Sequence, residues 1–121
     1  MALFGFRTRS PERDDATDAR RFDRLARLLD EISDEISMER SGLERRYRSE
    51  TTDAAFLVEA MENDGVAERS QGRVEELTAS IINCERRLDY LSRQAAILDE
   101  FRKTFSSLAK KMPPDPKASL R

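Results

Sequence analysis

The chain has 121 residues, 38% charged and 38% hydrophobic but only 7% aromatic, with four glycines, four prolines and a net charge of −2. One domain is the ceiling at this length. The balance excludes a thick globular core and suits long helices that each bury one stripe.

Residues 1–10 form a basic and apolar N-terminus, expected to be flexible, that contains Leu3, Phe4, Phe6, Arg7 and Arg9. Ser10-Pro11-Glu12 then starts a helix. Serine suits the N-cap, proline fits the first helical position, and Glu12, Asp14 and Asp15 complement the positive end of the dipole. No proline interrupts the chain between Pro11 and Pro113. Helix 1, about residues 11–62, carries Phe22, Leu25, Leu29, Ile32, Ile36 and Leu43 at heptad spacing, with Glu39 at the intermediate site. Beyond Leu43 the stripe passes to Tyr47, Ala54, Val58 and Met61 only if a four-residue stutter is inserted near Arg40. Ser41-Gly42 sits at the same place and is a candidate kink, and Thr51-Thr52-Asp53 is a candidate cap for a new helix.

Glu62-Asn63-Asp64-Gly65 supplies the break, with the turn expected at 63–65. Helix 2, about residues 66–111, is more regular. Its seam runs Val74, Leu77, Ile81, Cys84, Leu88, Leu91, Ala95, Leu98, Arg102, Phe105, Ala109, Met112, alternating steps of three and four. Lys110 and Lys111 suit the negative helix end, Pro113-Pro114 stop it, and 113–121 is expected to be a disordered tail. Helices of similar length joined by a short link imply an all-α fold, a long antiparallel helical hairpin of coiled-coil type over 11–112. In it residue i faces about 128 − i. Two such hairpins are expected to pair into a dimeric four-helix bundle. The alternative is a compact three-helix bundle, with helix 1 broken at Ser41-Gly42 or Thr51.

The absence of histidine removes the commonest general base, the Glu-x-x-His di-iron signature and most zinc sites. Asp30, Glu31, Asp34 and Glu35 read as a solvated acidic face rather than a calcium or magnesium site. No nucleophile elbow or glycine-rich phosphate loop occurs. The expectation is therefore no enzyme activity, catalytic residues, metal or cofactor, and no small-molecule substrate. Cys84 is the single cysteine and falls on the seam, where a thiol acts as a small hydrophobe. A lone thiol, with no long apolar run for a signal or a membrane span, points to the cytoplasm. The excess of 18 Arg over 4 Lys fits a GC-rich, bacterial coding sequence.

A second stripe on helix 2 lies off the seam: Ile82, Tyr90, Ile97, Phe101 and Leu108. Leu28 and Met38 do the same on helix 1. A two-stranded hairpin buries only its seam, so these residues are candidates for binding a second copy or the helices of a partner. Charge adds a second candidate region. Residues 14–101 carry 13 Arg/Lys against 22 Asp/Glu, whereas 1–13 are net +2 and 102–121 net +5. The hairpin brings both ends to one tip. There Leu3, Phe4, Phe6, Arg7, Arg9, Lys110 and Lys111 are candidates for contact with an anionic membrane surface or an acidic partner. Nucleic acid is disfavoured by the acidic body. Two functions emerge: a non-enzymatic coiled-coil adaptor or assembly factor, or a scaffold peripheral to the inner membrane.

Overall fold

The computed structural model describes residues 10–64 and 68–112, with the backbone alone at 64, 68 and 69. Two helices, α1 (Pro11–Asp64) and α2 (Glu68–Lys111), make up the described chain. They pack against each other as an antiparallel hairpin, and the expected register holds. The cross-helix pairs are Phe22 with Phe105, Asp30 with Arg102, Glu39 with Arg87, Tyr47 with Glu85 and Glu50 with Ser80. All fall within one helical turn of the expected pairing. By compactness the chain divides into unit 1, Met1–Ser33 with Ile97–Arg121, and unit 2, Asp34–Ala96.

Helix α1 begins where the capping signal places it. The Ser10 carbonyl accepts the Asp14 N–H at 3.0 Å, closing the first turn. At the other end the helix continues through Asn63 and Asp64, two residues into the expected turn. Gly65, Val66 and Ala67 lie outside the described residues, and α2 starts at Glu68 rather than 66. Boundary shifts of this size are ordinary, since no residue before Gly65 forbids helical geometry.

Both doubtful points in helix 1 are helical, so the three-helix alternative does not stand. The Thr51 hydroxyl donates to the carbonyls of Tyr47 and Arg48, at 2.9 and 3.0 Å, and Thr52 donates to Arg48 at 2.8 Å. Each hydroxyl is satisfied by the preceding turn, as mid-helix threonines can be, and neither caps a new helix. Gly42 breaks nothing either. A side chain there would meet only the far end of Arg45, at 3.9 Å, so this glycine answers no packing need.

The stutter also disappears. From Phe22 onward a row of half-buried or buried residues runs along α1 at 22, 26, 29, 33, 36, 40, 43, 47, 50, 54, 57 and 61, in unbroken alternating steps of four and three, with Ile32, Gly42 and Thr51 half-buried beside it. The sequence reading left this row because several members are small or polar: Ala26, Ser33, Arg40, Glu50. It followed Leu25 and Val58, which are 44% and 40% exposed, and Glu39, which is also exposed. Period, not local greasiness, decides which residues face α2. On α2 the expected seam is the observed one. Leu77, Cys84 and Leu91 are buried, the other apolar members are half-buried, and only Met112 is open at 56%.

Glu50 shows how a carboxylate is tolerated in the seam. Its Oε1 accepts from Arg46 Nε at 2.8 Å and from Ser80 Oγ at 2.9 Å, and Arg46 Nη2 donates to Ser80 Oγ at 3.1 Å. These bonds hold the Glu50 carboxyl below the usual carboxylate range. Its other oxygen, and Arg40 Nε, are enclosed without a hydrogen-bond partner. Such groups oppose stability.

Candidate functional site

The five candidate docking residues of α2 are all open to solvent. Ile82, Tyr90, Ile97, Phe101 and Leu108 are between 47% and 62% exposed. Ile97, Phe101 and Leu108 belong to unit 1, and Ile82 and Tyr90 to unit 2. In each unit, position relative to the seam decides which side a residue takes. A residue immediately before a seam position lies on one side of an antiparallel helix pair, whichever helix carries it. A residue immediately after lies on the other, because the pair has an approximate two-fold axis normal to its own plane.

In unit 1 the exposed large apolar residues, apart from Met112 at the end of the seam, obey the same rule. Leu25 and Leu28 precede the seam residues Ala26 and Leu29 of α1. Ile97, Phe101 and Leu108 precede Leu98, Arg102 and Ala109 of α2. The five therefore share one side of unit 1. On α1, Leu25 and Leu28 line an open groove of about 600 Å³ with Arg21, Arg24, Arg27 and Glu31. The opposite side is polar. There Arg102 Nη2 reaches Asp30 Oδ1 at 2.7 Å, and Asp30 lies about 200° around α1 from Leu28. Unit 1 is amphipathic as a pair of helices, beyond the amphipathicity of each helix alone. Each of the five is about half covered already, so covering the rest is worth about 1 kcal/mol per residue.

Unit 2 scatters its exposed apolar residues. Phe56 and Tyr90 precede seam positions, Val58 and Ile82 follow them, and Met38 does neither. Tyr90 is partly occupied, since the Arg93 guanidinium stands 5.7 Å from its ring centroid while pairing with Asp89 at 2.8 Å. On one side of unit 2, that of the residues just before its seam, lie polar bridges. Arg87 grips Glu39 with two bonds, Nε to Oε2 at 2.6 Å and Nη2 to Oε1 at 3.1 Å. This fork holds the Glu39 carboxyl below its ordinary range. On the other side Tyr47 Oη donates to Glu85 at 3.0 Å, which pushes the phenol upward.

Leu25 and Val58, expected in the stripe of helix 1, are exposed instead, and so is Phe56, which no expectation singled out. The signal for Leu25 and Val58 was present in the strict heptad row of α1. Lys110 and Lys111 end α2 in unit 1, both exposed. Leu3, Phe4, Phe6, Arg7 and Arg9 lie outside the described residues. Asp30, from the acidic cluster, serves as an ion-pair partner across the hairpin. Cys84 is buried and free. No described helix is long and apolar enough to cross a membrane. Compared with protein-family models, curated proteins and solved structures, the chain finds no match.

Proposed function

We propose that the protein is a non-enzymatic coiled-coil adaptor or assembly factor, cytoplasmic, which works by laying the apolar side of unit 1 against helices of another polypeptide chain. The observation that supports this reading is the placement of Leu25, Leu28, Ile97, Phe101 and Leu108 on one side of unit 1, all exposed and none needed by the seam. Helical partners suit a surface built from two helices, whose ridges and grooves accept further helices at preferred angles.

The test uses affinity capture of partners by the full chain, followed by calorimetric titration of each purified partner. Ile97→Asp combined with Phe101→Asp is expected to weaken binding at least a hundredfold, with helical content unchanged by circular dichroism, because neither residue belongs to the seam. Partner binding that the double variant leaves intact contradicts the reading.

A second reading, a scaffold peripheral to the inner membrane, is favoured by the exposed Lys110 and Lys111 at the end of α2. Flotation with anionic vesicles, comparing the full chain with one lacking residues 1–9, checks it. Binding lost on truncation supports it, and equal binding by both chains counts against it.

A further inference from the structure

We infer that the occupant of the apolar side of unit 1 is a second copy of this chain, docked about a two-fold axis that crosses α1 beside Leu28 and α2 beside Phe101. The inference rests on the adaptor reading of this surface and names its partner.

Two observations select a second copy. The first is charge placement. Arg24 and Glu31 stand seven residues apart on α1, at the same heptad position, flanking Leu25 and Leu28 along the groove. When a helix meets its own copy antiparallel about a point midway between them, Arg24 faces Glu31 of the other chain and Glu31 faces its Arg24. Oppositely charged residues at equivalent flanking positions are the arrangement that makes an antiparallel self-contact attractive, and a parallel one repulsive. The midpoint, beside Leu28, brings the most central apolar residue of α1 against itself. The hairpin register carries that level across to α2. Asp30 pairs with Arg102 and Phe22 with Phe105, so the level beside Leu28 meets α2 close to Phe101, in the middle of its apolar residues. The two helices thus share one axis, as an isologous interface requires.

The second observation is area. A fully buried leucine or phenylalanine removes on the order of 100–200 Å² from water. Half exposed, the five side chains offer roughly 400 Å² per copy and twice that in the pair. With the flanking charged residues the total approaches about 1,200 Å², the lower bound of specific interfaces. The product is a four-helix layer in which every neighbouring helix is antiparallel.

Sedimentation equilibrium of the full chain at micromolar concentrations tests the inference, with circular dichroism to verify folding. The wild type is expected to be a dimer, and the chain carrying Ile97→Asp with Phe101→Asp a helical monomer. Arg24→Glu alone and Glu31→Arg alone are each expected to raise the dimer dissociation constant roughly tenfold, since each replaces two attractive pairs by two repulsive ones. Combining both changes in one chain, or mixing the two single variants, is expected to restore association. Failure of the double change to rescue overturns the two-fold register. A monomeric wild type overturns the inference outright. In that event deletion of residues 1–9 identifies what covers the surface: dimerisation on deletion assigns it to the chain's own N-terminus, and no change assigns it to a foreign protein. The adaptor reading is judged separately. A monomer that binds a partner through Ile97 and Phe101 sinks only the present inference, and a dimer that binds no partner sinks only the adaptor.

Discussion

The two units are built from the same helices and the same heptad row, yet they finish their surfaces differently. The four buried apolar side chains among the described residues, Ile36, Leu77, Cys84 and Leu91, belong to unit 2. Unit 2 places Glu39, Arg46, Ser80 and Arg87 immediately before its seam positions, and these tie α1 to α2. Unit 1 places leucine, isoleucine and phenylalanine at the equivalent positions. It holds its helices together by the tilted Phe22–Phe105 ring contact at 5.9 Å and the Arg102–Asp30 pair on the opposite side. The same repeat therefore yields helices tied by polar bridges in one unit and a pair with an exposed apolar side in the other. What changes is the residue class one step before the seam.

The sharpest way to break this comparison is to attack each unit where it is expected to be strong. Leu91→Ala removes the most buried side chain of unit 2, 1% exposed. It is expected to cost about 2–5 kcal/mol in denaturant unfolding. Phe101→Ala, although larger in volume lost, is expected to cost under about 1 kcal/mol in a chain kept monomeric, since 62% of the residue is already exposed. Equal losses would mean that the two units do not differ in packing.

Next in size come the glycines. Gly42→Ala is expected to stabilise α1 by about 1 kcal/mol, and Gly72→Ala to do the same for α2, because glycine inside a helix is the poorer residue. Neither added methyl meets an obstacle: Gly42 has only the Arg45 side chain within reach and Gly72 has nothing within 4 Å. A loss of stability at Gly42 would reinstate the kink there. Glu50→Leu fills the row between Leu43 and Leu57 and is expected to raise the unfolding midpoint, since a seam carboxylate with one unpartnered oxygen gives way to an apolar contact.

The smallest effects are limbs of the pH profile. Glu39 and Glu50 titrate lower in the fold than in the unfolded chain, chiefly through their bonds to Arg87 and Arg46. Their contribution is present above the unfolded value, about 4.3, and is lost as pH falls through the lowered one. Glu39→Gln is expected to flatten this acid limb. Tyr47 titrates higher through its bond to Glu85. Its contribution is present below the unfolded value, about 10, and is lost as pH rises through the raised one. Tyr47→Phe is expected to remove that alkaline limb, and an unaltered profile would deny the bond in solution.

Much of this was legible in the residues themselves. The hairpin, its register and the α2 seam follow from heptad spacing and from the proline-free span between Pro11 and Pro113. The α1 row was obscured where it passes through Ser33, Arg40 and Glu50, because hydrophobicity is a poor guide when a polar residue is held by a neighbour. Glu50 depends on Arg46, four residues along, and on Ser80, thirty residues away. The second partner is visible only once the helices are paired. The division of exposed apolar residues between the units also needed both helices. On α2 alone, Ile82 and Ile97 look equivalent, and only their place before or after the seam separates them.

Methyl NMR of isotopically labelled leucine and isoleucine, recorded as the chain is diluted and again as a purified partner is added, tests the contrast between the units most directly. The account predicts that the methyl signals of Leu25, Leu28, Ile97 and Leu108 move while those of Ile36, Leu77, Ile82 and Leu91 stay in place. Movement centred on unit 2, or no movement in unit 1 under either condition, would contradict it.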